Sequence, residues 1–308
     1  MRLNHNQLQV RAREFALLSE VTHRRPQART FWPAFNRDVS SLHTFAMHLS
    51  HLRVLCSQPA EDWLLDHIAF IQTQAQVVQR QFPRRVFHRL PRLSGTGMPR
   101  VYAICQDYLS HADGHYDPRD FEQYVEAYQE VSVLTTLECW VLPEAMRVAI
   151  IRQLAQTMGE VRHRHEVCAQ VSNVLAPLKS AAHSDQQIQS ALNQMVGRRR
   201  LTAVEVVHWV RHLNEWEPEM DKVRDWLRAY VDNSQVDLEQ MTSFEHQFDA
   251  HLQVICGDLV TSLHRLERQP WRTTFMNISH VDKILSSDPR GEYRLLDCAS
   301  QDLLRNRV

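Results

Sequence analysis

Alternating histidines and aspartates end the stretch "LPRLSGTGMPRVYAICQDYLSHADGHYD", which spans residues 90–117. Its residues of metal-ligand type are His111, Asp113, His115 and Asp117. His111 and His115 have the i, i+4 spacing of a helical zinc-binding pair, but the turn at Gly114 breaks a helix between them. An EF-hand would need a longer run of oxygen ligands than this loop supplies. The pattern therefore predicts a structural turn and a helix cap, with no metal and no cofactor.

Glu138 and Trp140, in the segment "LTTLECWVLP", are a second pair of residues that could do chemistry. A carboxylate and an indole are expected together in a sugar site, and a buried, hydrogen-bonded core pair is the alternative. Glycoside hydrolysis requires two carboxyl groups about 5 to 10 Å apart across a cleft. Asp113 is the second carboxylate of this hypothesis, so Glu138 and Asp113 are the candidate catalytic residues.

Signatures of the common enzyme classes do not occur in the sequence. There is no GxSxG nucleophile elbow, no P-loop, no GxGxxG turn and no catalytic Cys–His signature. The segment "RHRHE", residues 162–166, sets two histidines on different faces of a helix and is not the HExxH zinc motif. The segment by itself is therefore not expected to be catalytic.

Glycine is scarce, with seven residues in 308, whereas average usage predicts roughly twenty. Folds built on tight turns or phosphate-binding loops need glycine at positive φ, so this scarcity favours long helices with few connections. Leu, Gln, Ala, Arg and Glu are abundant and are good helix formers, and strand signals are nearly absent. The composition predicts an all-α fold, a multi-helix array or bundle of roughly ten or more helices.

Net charge and cysteine content limit which kinds of partner and which cellular compartment are expected. The formal net charge is −1 and "GRRR", residues 197–200, is the only dense basic run, so no nucleic-acid partner is expected. The six cysteines lack a CxxC pair, which is typical of buried thiols in a reducing cytoplasm. Neither a signal peptide nor an apolar run of about 18 residues occurs. We expect a cytoplasmic protein with no transmembrane segment in this chain.

Start signals and apolar periodicity position the helices. Asp117 is a capping residue before Pro118 at the first helical position. Thr202 and Glu205 have the spacing of a capping box. The apolar spacing predicts helices over 6–22, 38–56, 57–82, 100–112, 135–170 and 236–268, with further helices after 118 and after 202.

The apolar pattern weakens around 176–200, in "PLKSAAHSDQQ" and "GRRR". This marks a loose boundary between two helical subdomains, 1–175 and 176–308, which could also pack as one domain. The turn with its histidines and the pair of Glu138 and Trp140 both fall in the first of them.

Long, irregular motifs carry a resemblance to a known family. "EDWLLDHIAFIQTQAQVVQRQFPRRVFHRLPRLSGTGMPRVYAICQDYLSHADGHYD", followed by "YVEAYQEVSVLTTLECWVLPEAMRVAIIRQL", resembles the N-terminal helical region of cyclic β-1,2-glucan synthases. The matching positions are Trp63-Leu64-Leu65-Asp66, Leu90-Pro91-Arg92-Leu93, Gly97 to Tyr102, His111, Asp113-Gly114, Asp117, Ala127-Tyr128-Gln129, Leu134-Thr135, Glu138 and Trp140. A second block, "WRTTFMNISHVDKILSSDPRGEYRLLDCASQDLLR", is similar to the family's DP-x-G-x-Y segment.

The resemblance implies an accessory helical module of a multidomain enzyme, ahead of a membrane-embedded UDP-glucose glycosyltransferase and a phosphorylase-like domain. The implied partners are the other domains of that enzyme and β-1,2-glucan, and the implied location is the cytoplasmic face of the membrane. The candidate substrate-binding residues are Trp140, Tyr102, Arg100, His111 and Trp63. The chain ends at "RNRV", where the family continues, which favours an excised segment, a truncated reading frame or a split protein.

Two alternatives to an accessory module stay open. The first is a helical carbohydrate-active enzyme in its own right, with the paired carboxylates described above. The second is a generic helical interaction protein with no link to sugars. The sequence departs from the family pattern at Leu137, Cys139 and Gln301, which leaves the roles of those side chains open.

Overall fold

Helices form most of the computed structural model, which describes residues 2–22, 31–52, 59–82, 84–178, 202–214, 223, 225–229 and 238–305. They are α1 (His5–Leu18), α2 (Phe31–Leu52), α3 (Pro59–Gln81), α4 (Arg84–Arg89), α5 (Arg100–His111), α6 (Pro118–Gln129), α7 (Thr136–Leu178), α8 (Ala203–Asn214), α9 (Leu238–Arg268), α10 (Trp271–Ile278), α11 (His280–Ser286), α12 (Glu292–Leu295) and α13 (Cys298–Arg305). The predicted all-α fold with ten or more helices is confirmed.

A single short strand pair occurs within the described ranges. Strand β1 (Val21–Thr22) pairs antiparallel with β2 (Arg92–Leu93), and Val21 lies opposite Leu93. The pairing ties the chain after α1 to the glycine-containing loop before α5. It is too short to change the fold class, which agrees with the lack of strand signals in the sequence.

Capping residues start the helices where the sequence places them. The Asp117 carboxylate accepts hydrogen bonds from the backbone N–H groups of Arg119 and Asp120, at 2.9 and 3.1 Å, so the predicted cap of α6 is confirmed. The Thr202 backbone N–H donates to Glu205 at 2.8 Å, and the Glu205 N–H donates back to Thr202 Oγ1 at 3.3 Å. This reciprocal pair is the predicted capping box before α8.

Helix α2 begins at Phe31, seven residues before the predicted start at 38. The first turn contributes Phe31, Trp32 and Phe35 to an aromatic cluster in which Trp32 also packs edge-on against Phe82, with ring centroids 5.6 Å apart. Burial of these large rings stabilises the early turn although Pro33 lies in it. Proline is tolerated in the first turn, because the N–H groups there have no intrahelical partner.

The Asp-Gly turn between α5 and α6 is confirmed. Gly114 has a φ of +79° and Asp113 a φ of +50°, so both lie in the left-handed region. A Cβ atom on Gly114 would lie 3.0 Å from Leu259 Cγ of α9. Ser262, on the same helix, donates to the Gly114 carbonyl at 2.9 Å and accepts from the Tyr116 N–H at 2.7 Å. Glycine is needed here for both its conformation and its lack of a side chain.

The chain forms two compact units, and neither is continuous in sequence. One unit comprises 1–46, 63–156 and 255–308, and the other comprises 47–62 and 157–254, each over its described residues. Most of the boundary predicted at 176–200 lies outside the described residues, so the division into 1–175 and 176–308 stays a prediction. All the candidate site residues named above belong to the first unit.

Candidate functional site

Glu138 lies fully buried at the start of α7 and binds Arg100 at the start of α5. Arg100 Nε donates to Glu138 Oε1 at 2.8 Å, and Arg100 Nη2 donates to Oε2. The backbone N–H and hydroxyl of Thr135 also donate to Glu138 Oε2, at 2.9 and 3.0 Å. Arg100 bonds further to Ser132 Oγ at 2.9 Å and to the Val133 carbonyl at 3.1 Å. Both side chains are therefore occupied by a structural ion pair that joins two helices.

The paired-carboxylate hypothesis needs an accessible acid at Glu138, and the arrangement offers none. Glu138 has an exposed fraction of 0 %, and both of its oxygens accept hydrogen bonds. Asp113, the proposed partner, lies partly buried in the turn after α5. General acid–base chemistry requires a carboxyl group within reach of a substrate, so Glu138 is placed as a structural residue.

His111, Tyr102 and Trp63 are also engaged within the fold. His111 Nδ1 donates to the Asp107 carbonyl at 2.8 Å, as a residue at a helix end does. Tyr102 is buried with its ring edge-on to Phe31, 5.2 Å away, and burial raises the pKa of its phenol. Trp63 is half-buried and stacks on His67 with ring centroids 5.4 Å apart. Within the described ranges, no group of three or more His, Cys or acidic residues could hold a metal ion.

Trp140, unlike Glu138, lines a pocket of about 240 Å³ in the described structure. Its side chain is 39 % exposed, and its indole stacks on Phe275 with ring centroids 4.2 Å apart and planes 21° apart. The walls of the pocket include Gln81, Trp140, Glu144, Arg147, Trp271 and Phe275. We call this the Trp140 pocket.

Three helices build the Trp140 pocket. Helix α7 presents Trp140, Glu144 and Arg147, which are four and three residues apart and therefore share one face. Helix α10 presents Trp271 and Phe275 with the same spacing of four. The last residue of α3, Gln81, completes the wall. The sequence analysis did not identify Glu144, Arg147, Trp271 or Phe275 as site residues. The spacing of four residues between Trp140 and Glu144, and between Trp271 and Phe275, could have indicated that each pair shares a helix face.

Glu144 and Arg147 form an ion pair in the wall of the pocket. The side chains of Arg147 and Glu144 are 10 and 11 % exposed, and Arg147 Nη1 donates to Glu144 Oε1 at 3.2 Å. Arg147 Nε donates to Gln74 at 3.1 Å, and Gln74 donates to Glu267 at 2.9 Å. Burial raises the pKa of the Glu144 carboxyl, and Arg147 opposes this rise. Burial lowers the pKa of Arg147, and the charges of Glu144 and Glu267 oppose that shift.

Burial makes Cys139, which also lines the pocket, a weak nucleophile. Burial raises the pKa of its thiol to about 12, and the adjacent charge of Glu138 adds to the rise. Only the thiolate attacks an electrophile, and at neutral pH almost none would be present. The pocket therefore combines aromatic faces with one carboxylate and one guanidinium, which suits non-covalent binding of a polar ring.

A larger cleft of about 770 Å³ lies between α6 and the helices that follow Trp271. Many of its polar side chains bind one another. Lys283 pairs with Glu126 at 2.8 Å, and Asn277 donates to Glu122 at 3.3 Å. Because these groups already have partners, and the candidate residue Trp140 lies elsewhere, we place the candidate site at the Trp140 pocket.

Comparison with known proteins confirms the resemblance seen in the sequence. The chain is similar to the cyclic beta-(1,2)-glucan synthase NdvB of Rhizobium meliloti (strain 1021), with 24 % identity over 261 residues. The match covers 81 % of this chain and 9 % of the relative, so the chain corresponds to a region of a much longer protein. No family model matches the chain. None of the helices in the described ranges is long and apolar enough to cross a membrane.

Proposed function

We propose that this chain is an accessory, non-catalytic helical module of an enzyme of the cyclic β-1,2-glucan synthase type, and that it holds the glucan chain at the Trp140 pocket. The observation that carries the proposal is the exposed indole of Trp140 beside Trp271 and the buried Glu144–Arg147 pair. The similarity to a region of a glucan synthase supports glucan as the ligand.

The chemistry of the pocket suits a sugar ring. Pyranose rings have apolar C–H faces that pack on aromatic side chains, and hydroxyl edges that exchange hydrogen bonds with charged groups. Trp140 and Trp271 supply aromatic surface for the apolar face, and Glu144 and Arg147 supply charged hydrogen-bonding groups for the hydroxyl edge. Small-molecule sites typically combine a mostly apolar wall with a few convergent polar groups in this way.

The acidic groups of the pocket support a non-catalytic role. Glycoside hydrolysis through paired carboxylates requires two carboxyl groups across the scissile bond. Among the described residues that line the pocket, Glu144 is the only acid. Glu138, the catalytic candidate predicted from the sequence, lies six residues before Glu144 on α7 and is buried in its ion pair with Arg100.

The proposed partners are the other domains of the same enzyme, and the proposed location is the cytoplasmic face of the membrane that carries the synthase. A module of this kind would keep the growing glucan near the catalytic domains. Cell fractionation of the full-length gene product would test the location, and recovery of the chain away from membranes and away from any transferase domain would contradict it.

Titration with β-1,2-glucooligosaccharides tests the glycan-binding role. We expect the chain to bind them in the millimolar range or tighter by NMR or calorimetry. Trp140→Ala should weaken binding by about tenfold, because it removes the exposed stacking surface of the pocket. Trp140→Phe, which keeps a ring, should retain much of the affinity.

Met276→Ala is the matched control for this experiment. Met276 has the same exposed fraction as Trp140, 39 %, and it lies on α10 next to Phe275 but lines the other cleft. It should leave the affinity unchanged. A chain that binds no glucan at millimolar concentration, or binds it equally well after Trp140→Ala with an unchanged melting temperature, would overturn the proposed function in favour of a generic interaction protein.

A further inference from the structure

We propose that Glu144 and Arg147 recognise a vicinal diol on a single pyranose ring, so that the Trp140 pocket selects sugars by the configuration of two adjacent hydroxyl groups. This inference rests on the proposed function and names the chemical group that the pocket reads. It assigns recognition to a buried ion pair of α7 that the sequence pattern did not indicate.

The free atoms of this pair support the inference. Glu144 Oε1 binds Arg147 Nη1, while the other carboxylate oxygen, Oε2, has no hydrogen-bond partner among the described residues. Arg147 uses Nε for Gln74, and its Nη2 likewise has no partner there. A few polar side-chain atoms of the described residues are fully buried and have no hydrogen-bond partner. Glu144 Oε2 and Arg147 Nη2 are not among these fully buried atoms. The side chains of Arg147 and Glu144 are only 10 and 11 % exposed, and both line the Trp140 pocket, so we assign their free atoms to that pocket.

The free acceptor and the free donor match a diol. A carboxylate oxygen only accepts hydrogen bonds and a guanidinium N–H only donates them, whereas a hydroxyl does both. One hydroxyl can donate to Glu144 Oε2 while its neighbour accepts from Arg147 Nη2. Both hydrogen bonds are assisted by charge, which makes them stronger than bonds between neutral groups.

The same pair disfavours anionic and cationic ligands. A phosphate or carboxylate drawn to Arg147 would also meet the charge of Glu144, because the two side chains are joined at 3.2 Å. A cation drawn to Glu144 would meet the guanidinium in turn. Like charges close together in a poorly solvated site are unfavourable, so a neutral polyol is the ligand class that both groups favour.

A second layer of hydrogen bonds fixes the direction of the guanidinium. Gln74, which is 1 % exposed, accepts from Arg147 Nε and donates to Glu267 of α9. Groups held in this way lose little conformational entropy on binding, and they discriminate between ligands by geometry. Gln74 of α3, itself held by Glu267 of α9, therefore orients Arg147 together with Glu144 on the same helix.

The size of the pocket and the linkage of the proposed ligand identify the diol. A volume of about 240 Å³ is below the usual range for drug-sized ligands, so it suits one ring. In a β-1,2-linked glucan the oxygen at C2 is used by the linkage. The hydroxyls at C3 and C4 remain free on every unit, and they are adjacent and both equatorial. We assign these two hydroxyls to Glu144 and Arg147.

Comparing closely related sugars on the wild-type chain tests this assignment without any mutation. NMR titrations would use methyl 2-O-methyl-β-D-glucopyranoside, in which the oxygen at C2 is blocked as it is in the glucan, its 4-deoxy analogue, and the corresponding galactopyranoside, in which the C4 hydroxyl is axial. We expect the last two to bind about tenfold more weakly or worse, because a buried charged group loses its partner. Glu144→Gln keeps the shape of the side chain and should reduce this discrimination to less than about threefold.

The outcomes separate this inference from the proposed function. If β-1,2-glucooligosaccharides bind and depend on Trp140, yet the three monosaccharides bind equally, diol recognition is wrong and the glycan-binding role stands. If no sugar binds, both are wrong. Melting curves of Glu144→Gln show whether the variant is folded, and the wild-type comparison decides the question even if it is not.

Discussion

Arg100 and Glu138 join the first turns of α5 and α7 through hydrogen bonds between two charged side chains. Both groups are buried, at 4 and 0 % exposure, and each of them also bonds to the chain segment that precedes α7. A buried pair of this kind adds little when it is intact, because desolvation opposes the attraction. Loss of one partner leaves an uncompensated charge in the interior, which is strongly destabilising.

We expect Arg100→Ala to lower the free energy of unfolding by about 3 to 5 kcal/mol. Urea denaturation followed by circular dichroism would measure the change. Glu130→Ala is the control, since it removes a solvent-exposed partner of Arg13 at 2.6 Å and should cost less than about 1 kcal/mol. Similar effects of the two variants would show that the buried pair is not the structural anchor described here.

At the scale of elements, the turn between α5 and α6 is held against α9. The left-handed conformation at Gly114 and its close approach to Leu259 both disfavour a side chain. The hydroxyl of Ser262 bonds on both sides of the turn, to Gly114 and to Tyr116. The residues that resembled a metal loop in sequence thus serve to direct two helices onto a third.

Gly114→Ala should destabilise the chain by about 2 to 4 kcal/mol, which combines a left-handed backbone penalty with overpacking against Leu259. Thermal denaturation would measure it. Gly95→Ala is the matched control, because a Cβ atom there meets nothing within 4 Å. We expect that control to be neutral or stabilising by up to about 1 kcal/mol. A neutral Gly114→Ala variant would show that the turn is not tightly held against α9.

At the scale of the whole molecule, segments far apart in sequence share one unit. The first unit takes its residues from 1–46, 63–156 and 255–308. Gln129 of α6 donates to the Ile278 carbonyl at 2.8 Å, and Tyr116 bonds to Gln269. The C-terminal segment therefore supplies hydrogen-bond partners and core contacts to helices in the first half of the chain.

A fragment of residues 1–175 tests how far this unit depends on the C-terminal segment. Without residues 255–308 it lacks Leu259, Phe275 and Ile278, which are buried in the complete chain. We expect it to retain helical circular dichroism but to lose cooperative unfolding and near-ultraviolet signals, as in a loosely packed state. A fragment that unfolds cooperatively with the stability of the full chain would instead support the subdomain boundary predicted near 176.

Local structure and the family resemblance follow from the amino-acid sequence alone. Helix periodicity, the Asp117 cap and the Thr202–Glu205 box follow from contacts within a few residues along the chain, so they could be predicted. The scarcity of glycine indicated an all-α fold, because composition can be read without knowing which residues lie close together in space. The motifs that resemble glucan synthases were recognisable without any knowledge of their neighbours in space.

The tertiary structure alone decided which acid belongs to the candidate site. Glu138 and Glu144 lie on one helix six residues apart, and the sequence favoured Glu138 because it lies two residues before Trp140 in a segment that resembles the family. Glu138 binds Arg100 of α5, while Glu144 lies four residues after Trp140 and lines the same pocket as Trp271 of α10. Which face of a helix meets which neighbour depends on packing between segments far apart along the chain, 38 residues for Arg100 and Glu138 and more than a hundred for Trp140 and Phe275, and local patterns carry no information about that packing.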